Sequence, residues 1–316
     1  MKEPQRILIV KLSALGNVIL SLGPFAAIRQ HHPAADITLL TTAPYAAWLA
    51  EAPWFDRVLI DERPTWWNLP ALLRLRRLLR RGRFDRVYDL QTSGRSNWYF
   101  RLFPRGRRPE WSGIAPGCSH PHRDPDRDAM HDIDRQFDQL ADAGVTERPP
   151  VDLTWTTGGI AAFGLPARLA LLVPGSSTHR PAKRWPAASY AVVAARLLAD
   201  GITPVVLGSR NEADLAAAIR KVAPAAIDLT GRTRLQDLVP LARAAIVAIG
   251  NDTGPMHLIA AAGCRSIVLF SHASDPACCA PRGRSVSVLR RPDLADLPVA
   301  AVLDELSLGM SEVTAA

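Results

Sequence analysis

Short apolar runs alternate with helix-like patterns along the first half of the chain. The runs have the length and branching typical of buried strands, and the segments between them repeat apolar positions at helical spacing. The predicted strands are residues 7–12, 37–42, 57–61 and 86–91, and the predicted helices are residues 17–31, 45–51, 69–81 and 128–143. This alternation predicts a mostly parallel sheet with helices on both faces.

The alternation stops near residues 145–166, where paired prolines and glycines indicate a linker, and then resumes. The second series predicts strands at 168–173, 203–207, 226–229, 244–249 and 266–271 and helices at 187–199, 211–222, 234–242 and 255–262. We therefore predict two doubly wound α/β domains, residues 1–155 and 156–316, with ligands in a central cleft that faces the carboxyl ends of both sheets. Segment 104–127 has no period and is predicted to be an exposed loop.

Length and composition agree with two globular domains, because 316 residues that are 48% hydrophobic can form two cores. The opening MKEPQRILIV lacks the apolar stretch of a signal peptide, and no apolar run reaches the ~18 residues that span a bilayer. The four cysteines have no CxxC spacing and are predicted to be free thiols. These features predict a cytoplasmic protein.

Positive charge is concentrated in one segment. The net charge is +8, yet residues 72–108 alone hold twelve arginines and only two acidic residues. An anionic membrane surface is the favoured partner, because each basic residue near it contributes about 1 kcal/mol. Nucleic acid is disfavoured, since the chain has no zinc-finger, helix-turn-helix or RNP-type pattern. The simpler alternative is a packed helix over residues 69–86 with a solvated basic face.

Two loops of the second domain have residue types that bind phosphate. In IGNDTGPMHLIAAAG, residues 249–263, a strand leads into a helix that Asp252 or Thr253 can cap, and the helix start attracts anions. In LVPGSSTHRPAKRWP, residues 172–186, a Gly-Ser-Ser turn and several cations follow a buried strand. Each pattern also fits an ordinary loop, but two such loops at one sheet edge indicate a diphosphate site.

Three further patterns are weaker. Glu212, in LGSRNEADL, can accept hydrogen bonds from ribose hydroxyls or can be an ordinary helix-starting acid. HPHRDPDRDAMHD, residues 120–132, has a metal-like composition, but its spacing matches no known site, so we predict no metal. No Gly-x-Gly-x-x-Gly follows the first strand, which argues against a nicotinamide-dependent oxidoreductase.

Five motifs, in the right order, resemble glycosyltransferase family 9, the lipopolysaccharide heptosyltransferase family. They are SALGNVILSLGP, FDRVYDLQ, PGSS followed by KRWP, GSRNEADL and DTGPMH, and the resemblance spans about residues 6 to 290. It implies a GT-B fold of two Rossmann-like domains that face a central cleft. It also implies inverting, metal-independent transfer of a sugar, usually heptose, without a cofactor. The donor would be a nucleotide diphosphate sugar, usually ADP-linked, and the acceptor a lipopolysaccharide or related envelope glycolipid at the inner face of the bacterial inner membrane.

The resemblance also implies roles for individual residues. The N-terminal domain would bind the acceptor, and the C-terminal domain would bind the nucleotide sugar. The implied acceptor-binding residues are Ser13, Gly16 and Asn17. The implied donor-binding residues are Ser176, Ser177, Lys183, Glu212, Asp252, Thr253, Gly254 and His257.

Asn17 departs from the family pattern, which has Gly-Asp where this chain has Gly-Asn. The family's Asp is the base that deprotonates the acceptor hydroxyl, whereas an Asn can hydrogen-bond a sugar but cannot take its proton. Asp89, His131 and Asp132 are the candidate substitutes, and stabilisation of the leaving diphosphate is the alternative source of rate. Two other functions stay open: a GT-B sugar-nucleotide epimerase, and an inactive, membrane-associated glycan-binding homologue.

Overall fold

The computed structural model describes residues 5–177 and 179–314. The chain divides into two compact units between Thr156 and Thr157, and each unit contains one six-stranded parallel sheet. Within the described residues, no helix is both long enough and apolar enough to cross a membrane.

The first unit alternates strands and helices. Its strands are β1 (Arg6–Val10), β2 (Asp36–Thr41), β3 (Arg57–Ile60), β4 (Arg86–Asp89), β5 (Glu110–Gly113) and β6 (His120–Pro121). Its helices are α1 (Leu15–Ile19), α2 (Leu22–His31), α3 (Ala43–Leu49), α4 (Leu69–Arg81), α5 (Gly94–Phe100) and α6 (Asp132–Ala141). The apolar residues of β1 are fully buried, as expected for a strand covered on both faces.

The second unit repeats this arrangement. Its strands are β7 (Leu169–Val173), β8 (Thr203–Val206), β9 (Ile227–Asp228), β10 (Val247–Asn251), β11 (Ser266–Phe270) and β12 (Val286–Arg290). Its helices are α7 (Ala187–Ala199), α8 (Ala213–Val222), α9 (Leu235–Ala244), α10 (Gly254–Ala261), α11 (Pro276–Cys279) and α12 (Val299–Thr314). Trp185 and Tyr190 are buried in its core, with ring centroids 5.0 Å apart.

Both sheets have the same strand order when the strands are counted from the first of each unit. The first sheet runs β3-β2-β1-β4-β5-β6, and the second runs β9-β8-β7-β10-β11-β12. The direction of winding therefore reverses between β1 and β4 and again between β7 and β10. Loops diverge at such reversal points and leave a crevice at the carboxyl ends of the strands. The loops after these four strands are consequently the places to look for ligands.

The predicted alternation of strands and helices is confirmed, but segment 104–127 is not the exposed loop that the sequence predicts. It contains β5 and β6, and Trp111 of β5 is fully buried against Phe100, with ring centroids 5.4 Å apart. Strands of four and two residues among prolines and glycines are too short to give a periodic pattern. The sheet completes them, because Tyr88 of β4 pairs with Ser112 of β5.

Several other boundaries differ from the prediction. The single helix predicted at 17–31 is divided into α1 and α2, because Pro24 has no N–H to donate and suits the first turn of a new helix. The sequence also missed α5, α11, β12 and α12. By contrast, the bounds of α4 and α7 match the predicted ones.

Candidate functional site

The loops after β7 and β10 bring together the charged residues that the sequence predicts for the donor. Lys183 Nζ donates to Asp252 Oδ2, and Ser274 Oγ donates to the same oxygen at 2.7 Å. His257 Nε2 lies 3.7 Å from Asp252 Oδ1. Burial alone would raise the pKa of Asp252, but its contacts with His257, Lys183 and Ser274 outweigh burial and lower that pKa to about 2. The carboxylate is therefore ionised at neutral pH and holds Lys183 in place.

The start of α10 presents polar groups without partners. Thr253 occupies the N-cap position, but its hydroxyl makes no capping bond, contrary to the capping role expected from the sequence. Thr253 Oγ1 and His257 Nδ1 are both buried and have no hydrogen-bond partner among the described residues. Buried polar atoms normally have partners, so a ligand with polar groups fits this position. The positive end of the helix dipole favours an anionic ligand there.

Asn251 fastens the loop after β7 to the end of β10. Its Oδ1 accepts from the Trp185 backbone N–H at 3.1 Å and from the Tyr190 hydroxyl at 3.0 Å. Its Nδ2 donates to the carbonyl oxygens of Pro174 at 2.7 Å and Gly175 at 3.2 Å. The side chain is fully buried and uses all of its hydrogen-bonding capacity. Asn251 is not among the residues predicted from the sequence, although its position at a strand end beside a phosphate-binding pattern was an available signal.

The two serines of the loop after β7 differ in exposure. Ser176 is buried, and Arg184 donates to its hydroxyl oxygen at 3.1 Å and to its carbonyl oxygen at 2.9 Å. Ser177 is exposed. The hydroxyl of Ser176 thus orders the loop in this structure, whereas Ser177 is accessible to a ligand.

Glu212 lies close to the same loop. Its Oε2 accepts from the Ser209 backbone N–H and hydroxyl, each at 2.6 Å, in a capping box that precedes α8. A Cβ added to Gly175 would lie 2.8 Å from Glu212 Oε1, so a larger residue there would force the carboxylate to move. The half-buried carboxylate therefore lies at the carboxyl end of β7, and it contributes to the helix start as well.

In the first unit, the turn after β1 leaves Asn17 exposed. Its backbone carbonyl accepts from Ser21 Oγ at 2.7 Å, while its side chain makes no hydrogen bond within the described parts of the chain. Gly16 is buried beneath it. Ser13 Oγ lies 3.5 Å from Arg63 Nη1, at the edge of hydrogen-bonding distance. The predicted acceptor residues thus form one turn with a free carboxamide at its surface.

Gln91 and Lys11 support this turn, and neither is among the residues predicted from the sequence. Gln91 Oε1 accepts from the backbone N–H groups of Leu12 at 2.8 Å and Ser13 at 3.1 Å. Lys11 is buried, and its Nζ donates to the Leu90 carbonyl oxygen at 2.9 Å. Burial lowers the pKa of Lys11. Gln91 lies just after β4, the strand beside β1, and Asn251 lies at the end of β10, the strand beside β7. A carboxamide on the neighbouring strand or just after it therefore supports the first loop of each unit.

The candidate substitute bases are enclosed. Asp89 is fully buried, and its Oδ1 accepts from the N–H groups of Gln91 and Thr92 at 3.1 Å each. Burial raises its pKa to about 6. His131 is buried at the N-cap of α6, and Asp132 is buried in an ion pair with Arg135. A general base must reach the proton that it removes, so this placement weighs against all three.

One group of possible metal ligands is present in the described part of the chain. Atoms of His122, Asp138 and Asp142 lie within 4.8 Å of one another. His122 Nε2 lies 2.9 Å from Asp138 Oδ2, and Arg127 Nε lies 3.3 Å from His122 Nδ1. Because both ring nitrogens already have protein partners, the group is explained without an ion.

Comparison with known proteins agrees with this geometry. The chain is 27% identical over 311 residues to lipopolysaccharide heptosyltransferase 2 of Salmonella typhimurium, covering 90% of this chain and 88% of the relative. Two solved Escherichia coli structures are similar in fold. ADP-heptose LPS heptosyltransferase II has a TM-score of 0.78 at 22% identity, with 96% of this chain and 98% of that chain covered. Heptosyltransferase WaaC with ADP has a TM-score of 0.76 at 20% identity, with 96% and 99% covered.

The structural similarities establish the GT-B fold that the motifs imply. A family model, glycosyltransferase family 9 (heptosyltransferase), matches residues 72–301, which is most of the chain and includes the loops after β4, β7 and β10. This match favours glycosyl transfer over the epimerase hypothesis. The chain belongs to glycosyltransferase family 9, the heptosyltransferase family.

Proposed function

We propose that this protein transfers heptose from ADP-heptose to a lipopolysaccharide or related envelope glycolipid, with inversion and without a metal. The observation that carries the proposal is the cluster of Lys183, Asp252 and His257 at the start of α10, where Thr253 Oγ1 and His257 Nδ1 are buried and have no partner among the described residues. Support for an ADP-linked sugar comes from the similar Escherichia coli enzymes, whose structures are described with ADP or as acting on ADP-heptose.

On the donor side, Lys183 and the N-terminus of α10 stabilise the diphosphate as it leaves. Lys183 Nζ supplies a full positive charge, and the helix dipole with the Gly254 N–H supplies a partial one. Thr253 Oγ1 can donate to a phosphate oxygen, and His257 Nδ1, whose ring partner Nε2 faces Asp252, can accept from a sugar hydroxyl. Fixed groups aimed at developing charge commonly make the largest contribution to rate. Ser177 and Glu212 complete the donor site at the phosphate and nucleoside ends.

On the acceptor side, Asn17 hydrogen-bonds the acceptor sugar through its exposed carboxamide. Ser13 and Gly16 shape the turn that presents it. An amide cannot take the proton of the acceptor hydroxyl, so water accepts it. Stabilisation of the leaving diphosphate then makes the largest contribution to the rate. The first unit is therefore the acceptor domain and the second is the donor domain.

We further propose a cytoplasmic protein that associates peripherally with the inner face of the bacterial inner membrane. Segment 72–108 supports this placement, because eight of its arginines are exposed and form no ion pair with any described residue: Arg76, Arg77, Arg80, Arg81, Arg83, Arg101, Arg105 and Arg107. Others have protein partners, such as Arg86 with Glu110 and Arg108 over the Phe100 ring. Unpaired exposed arginines attract anionic lipids, and no nucleic-acid partner is proposed.

Calorimetric titration of the purified chain with ADP tests the donor site. We expect Lys183→Ala to weaken ADP binding by roughly tenfold to over a hundredfold, because a hydrogen bond to a charged group contributes about 1.5–3 kcal/mol. Lys221→Ala is the matched control, since Lys221 is an exposed lysine of the same unit in α8. If Lys183→Ala binds ADP as tightly as Lys221→Ala does, the proposed donor site is wrong. Failure to transfer heptose to any glycolipid acceptor would contradict the proposed activity.

A further inference from the structure

Four large apolar side chains are exposed within eight residues of the first unit. The exposed fractions are 50% for Trp66, 81% for Trp67, 64% for Leu69 and 46% for Leu73. We call these four residues the apolar ridge. They lie between β3 and the second turn of α4, at the carboxyl edge of the first sheet. Contiguous exposed apolar groups of this kind mark interaction surfaces rather than ordinary solvent-facing positions.

The residues around Trp66 and the start of α4 support the ridge. The Trp66 ring packs edge to face on Trp98, with centroids 4.7 Å apart, and the Arg95 guanidinium lies 5.6 Å from the Trp66 centroid. Arg95 also donates twice to the Pro64 carbonyl oxygen at 3.2 Å. Asn68 caps α4 with its side chain. Trp67 therefore projects from a supported loop, so little conformational entropy is lost when a partner covers it.

Positive charge lies on the same face of α4. Leu73 is three and four residues before Arg76 and Arg77, so the three side chains share one face of the helix. Both arginines are exposed and have no ion pair with a described residue. Apolar and aromatic side chains beside arginines are the pattern of a helix that lies in the membrane interface, where Trp sits at headgroup level.

The ridge is also close to the turn proposed to hold the acceptor. Arg63, which precedes Trp66 by three positions, places its guanidinium 3.5 Å from Ser13 Oγ of the turn. Asp61 accepts from the Arg63 backbone N–H at 2.8 Å and from the buried Tyr99 hydroxyl, which fixes the start of this loop. A lipid-linked acceptor anchored in a bilayer under the ridge would therefore have its sugar beside the turn.

We propose that Trp67, Leu69 and Leu73 insert into the interface of an anionic bilayer, while Arg76 and Arg77 contact the lipid phosphates. The inference rests on the membrane association proposed above and adds its apolar anchor, which lies largely outside segment 72–108. Charge alone would give binding that salt abolishes, because exposed charges are screened within about 8 Å at physiological ionic strength. Insertion of the ridge adds a component that salt does not remove.

Sedimentation of the full chain with vesicles tests the anchor. Wild type should bind vesicles that contain phosphatidylglycerol and should bind pure phosphatidylcholine weakly. Trp67→Ala/Leu69→Ala should bind the anionic vesicles at least about tenfold more weakly, because the apolar burial is lost. The matched control is Val192→Ala/Val222→Ala, which truncates two exposed apolar side chains of the second unit and should bind like wild type. All three proteins should bind ADP equally, which shows that they are folded.

Quenching by brominated lipids provides a second measurement. Trp67→Phe keeps an apolar ring but removes the indole, so it should retain vesicle binding and lose part of the quenched emission. If Trp67→Ala/Leu69→Ala binds the anionic vesicles as tightly as wild type does, the apolar anchor is overturned, and association through the arginines alone remains. No binding of wild type to anionic vesicles would overturn the membrane association itself. Loss of acceptor turnover in the double variant with unchanged vesicle binding would instead assign the ridge to the glycolipid acceptor and contradict the inference.

Discussion

At the scale of single residues, exposure separates Asn17 from the two carboxylates and the histidine that are the candidate substitute bases. Asn17 presents a carboxamide at the surface of the turn after β1, whereas Asp89 and His131 are buried, and Asp89 Oδ1 and His131 Nδ1 each accept from backbone N–H groups. A residue that contacts the acceptor must be reachable, so Asn17 is the better candidate for contact even though it cannot be a base. We therefore propose that Asn17 binds the acceptor and does not act as the base.

Substitution of Asn17 tests this division of roles. We expect Asn17→Asp to raise kcat by about 10²- to 10⁴-fold, since a positioned general base contributes that much. Asn17→Ala should raise the acceptor KM and lower kcat modestly, because one or two neutral hydrogen bonds contribute about 0.5–1.5 kcal/mol each. Steady-state kinetics with ADP-heptose and a glycolipid acceptor measure both. An unchanged rate in Asn17→Asp would show that another group already acts as the base.

Asp89 should make stability depend on pH. Burial raises its folded-state pKa from 3.8 to about 6. Between these values the native state keeps a proton that the unfolded chain has released, so the free energy of unfolding falls as pH rises from about 4 to 6. We expect a loss of about 2–3 kcal/mol from this group. Calorimetric unfolding at several pH values should show that Asp89→Asn, which keeps the Oδ1 acceptor, loses less stability than wild type over this window.

At the scale of elements, both units support the loop after their first strand in the same way. The strand beside it, β4 in one unit and β10 in the other, carries or precedes a carboxamide that hydrogen-bonds the loop backbone. The Gln91 side chain accepts two hydrogen bonds from backbone N–H groups, whereas the Asn251 side chain both donates and accepts hydrogen bonds. Each loop follows a buried strand at a reversal of winding, where a crevice lies beside the carboxyl ends of the strands. The carboxamides supply that support.

Variants of the two carboxamides should affect different ligands. Gln91→Leu should raise the acceptor KM by about tenfold and leave ADP affinity unchanged, because two neutral hydrogen bonds to the acceptor turn are lost. Gln91→Glu keeps a side-chain oxygen that can accept both backbone N–H groups, so it should behave like wild type.

Asn251→Leu should weaken ADP binding and lower the unfolding temperature, since it leaves buried hydrogen-bond donors and acceptors unpaired. The exposed Asn211→Ala is the control for that variant. A change in ADP affinity in Gln91→Leu would contradict the assignment of one ligand to each unit.

At the scale of the whole molecule, two units of the same strand order differ in charge and surface. The arginine-rich segment 72–108 and the apolar ridge both belong to the first unit, whereas the buried cluster around Asp252 belongs to the second. This distribution agrees with the proposed function, in which the second unit binds a nucleotide sugar and the first unit binds a membrane glycolipid. The membrane and donor experiments above therefore examine separate units of the same chain.

The sequence by itself determined the alternation of strands and helices and the motifs that relate the chain to its family. These features are local, because strand and helix periods repeat every 2 and 3.6 residues and a loop motif is contiguous. It could also identify the two loops that are proposed to bind the donor, since each follows a buried strand directly. It could not identify β5 or β6, whose few residues become strands only by pairing with the sheet.

Only the tertiary structure decided which side chains meet. Lys183 and Asp252 are 69 positions apart, Trp185 and Asn251 are 66 apart, and Leu12 and Gln91 are 79 apart. Such pairs form because the strand order places β4 beside β1 and β10 beside β7, which no local pattern encodes. The same order encloses Asp89 and leaves Asn17 exposed. Burial and pairing are properties of the assembled sheets, and they determine which of the residues found in the sequence can reach a ligand.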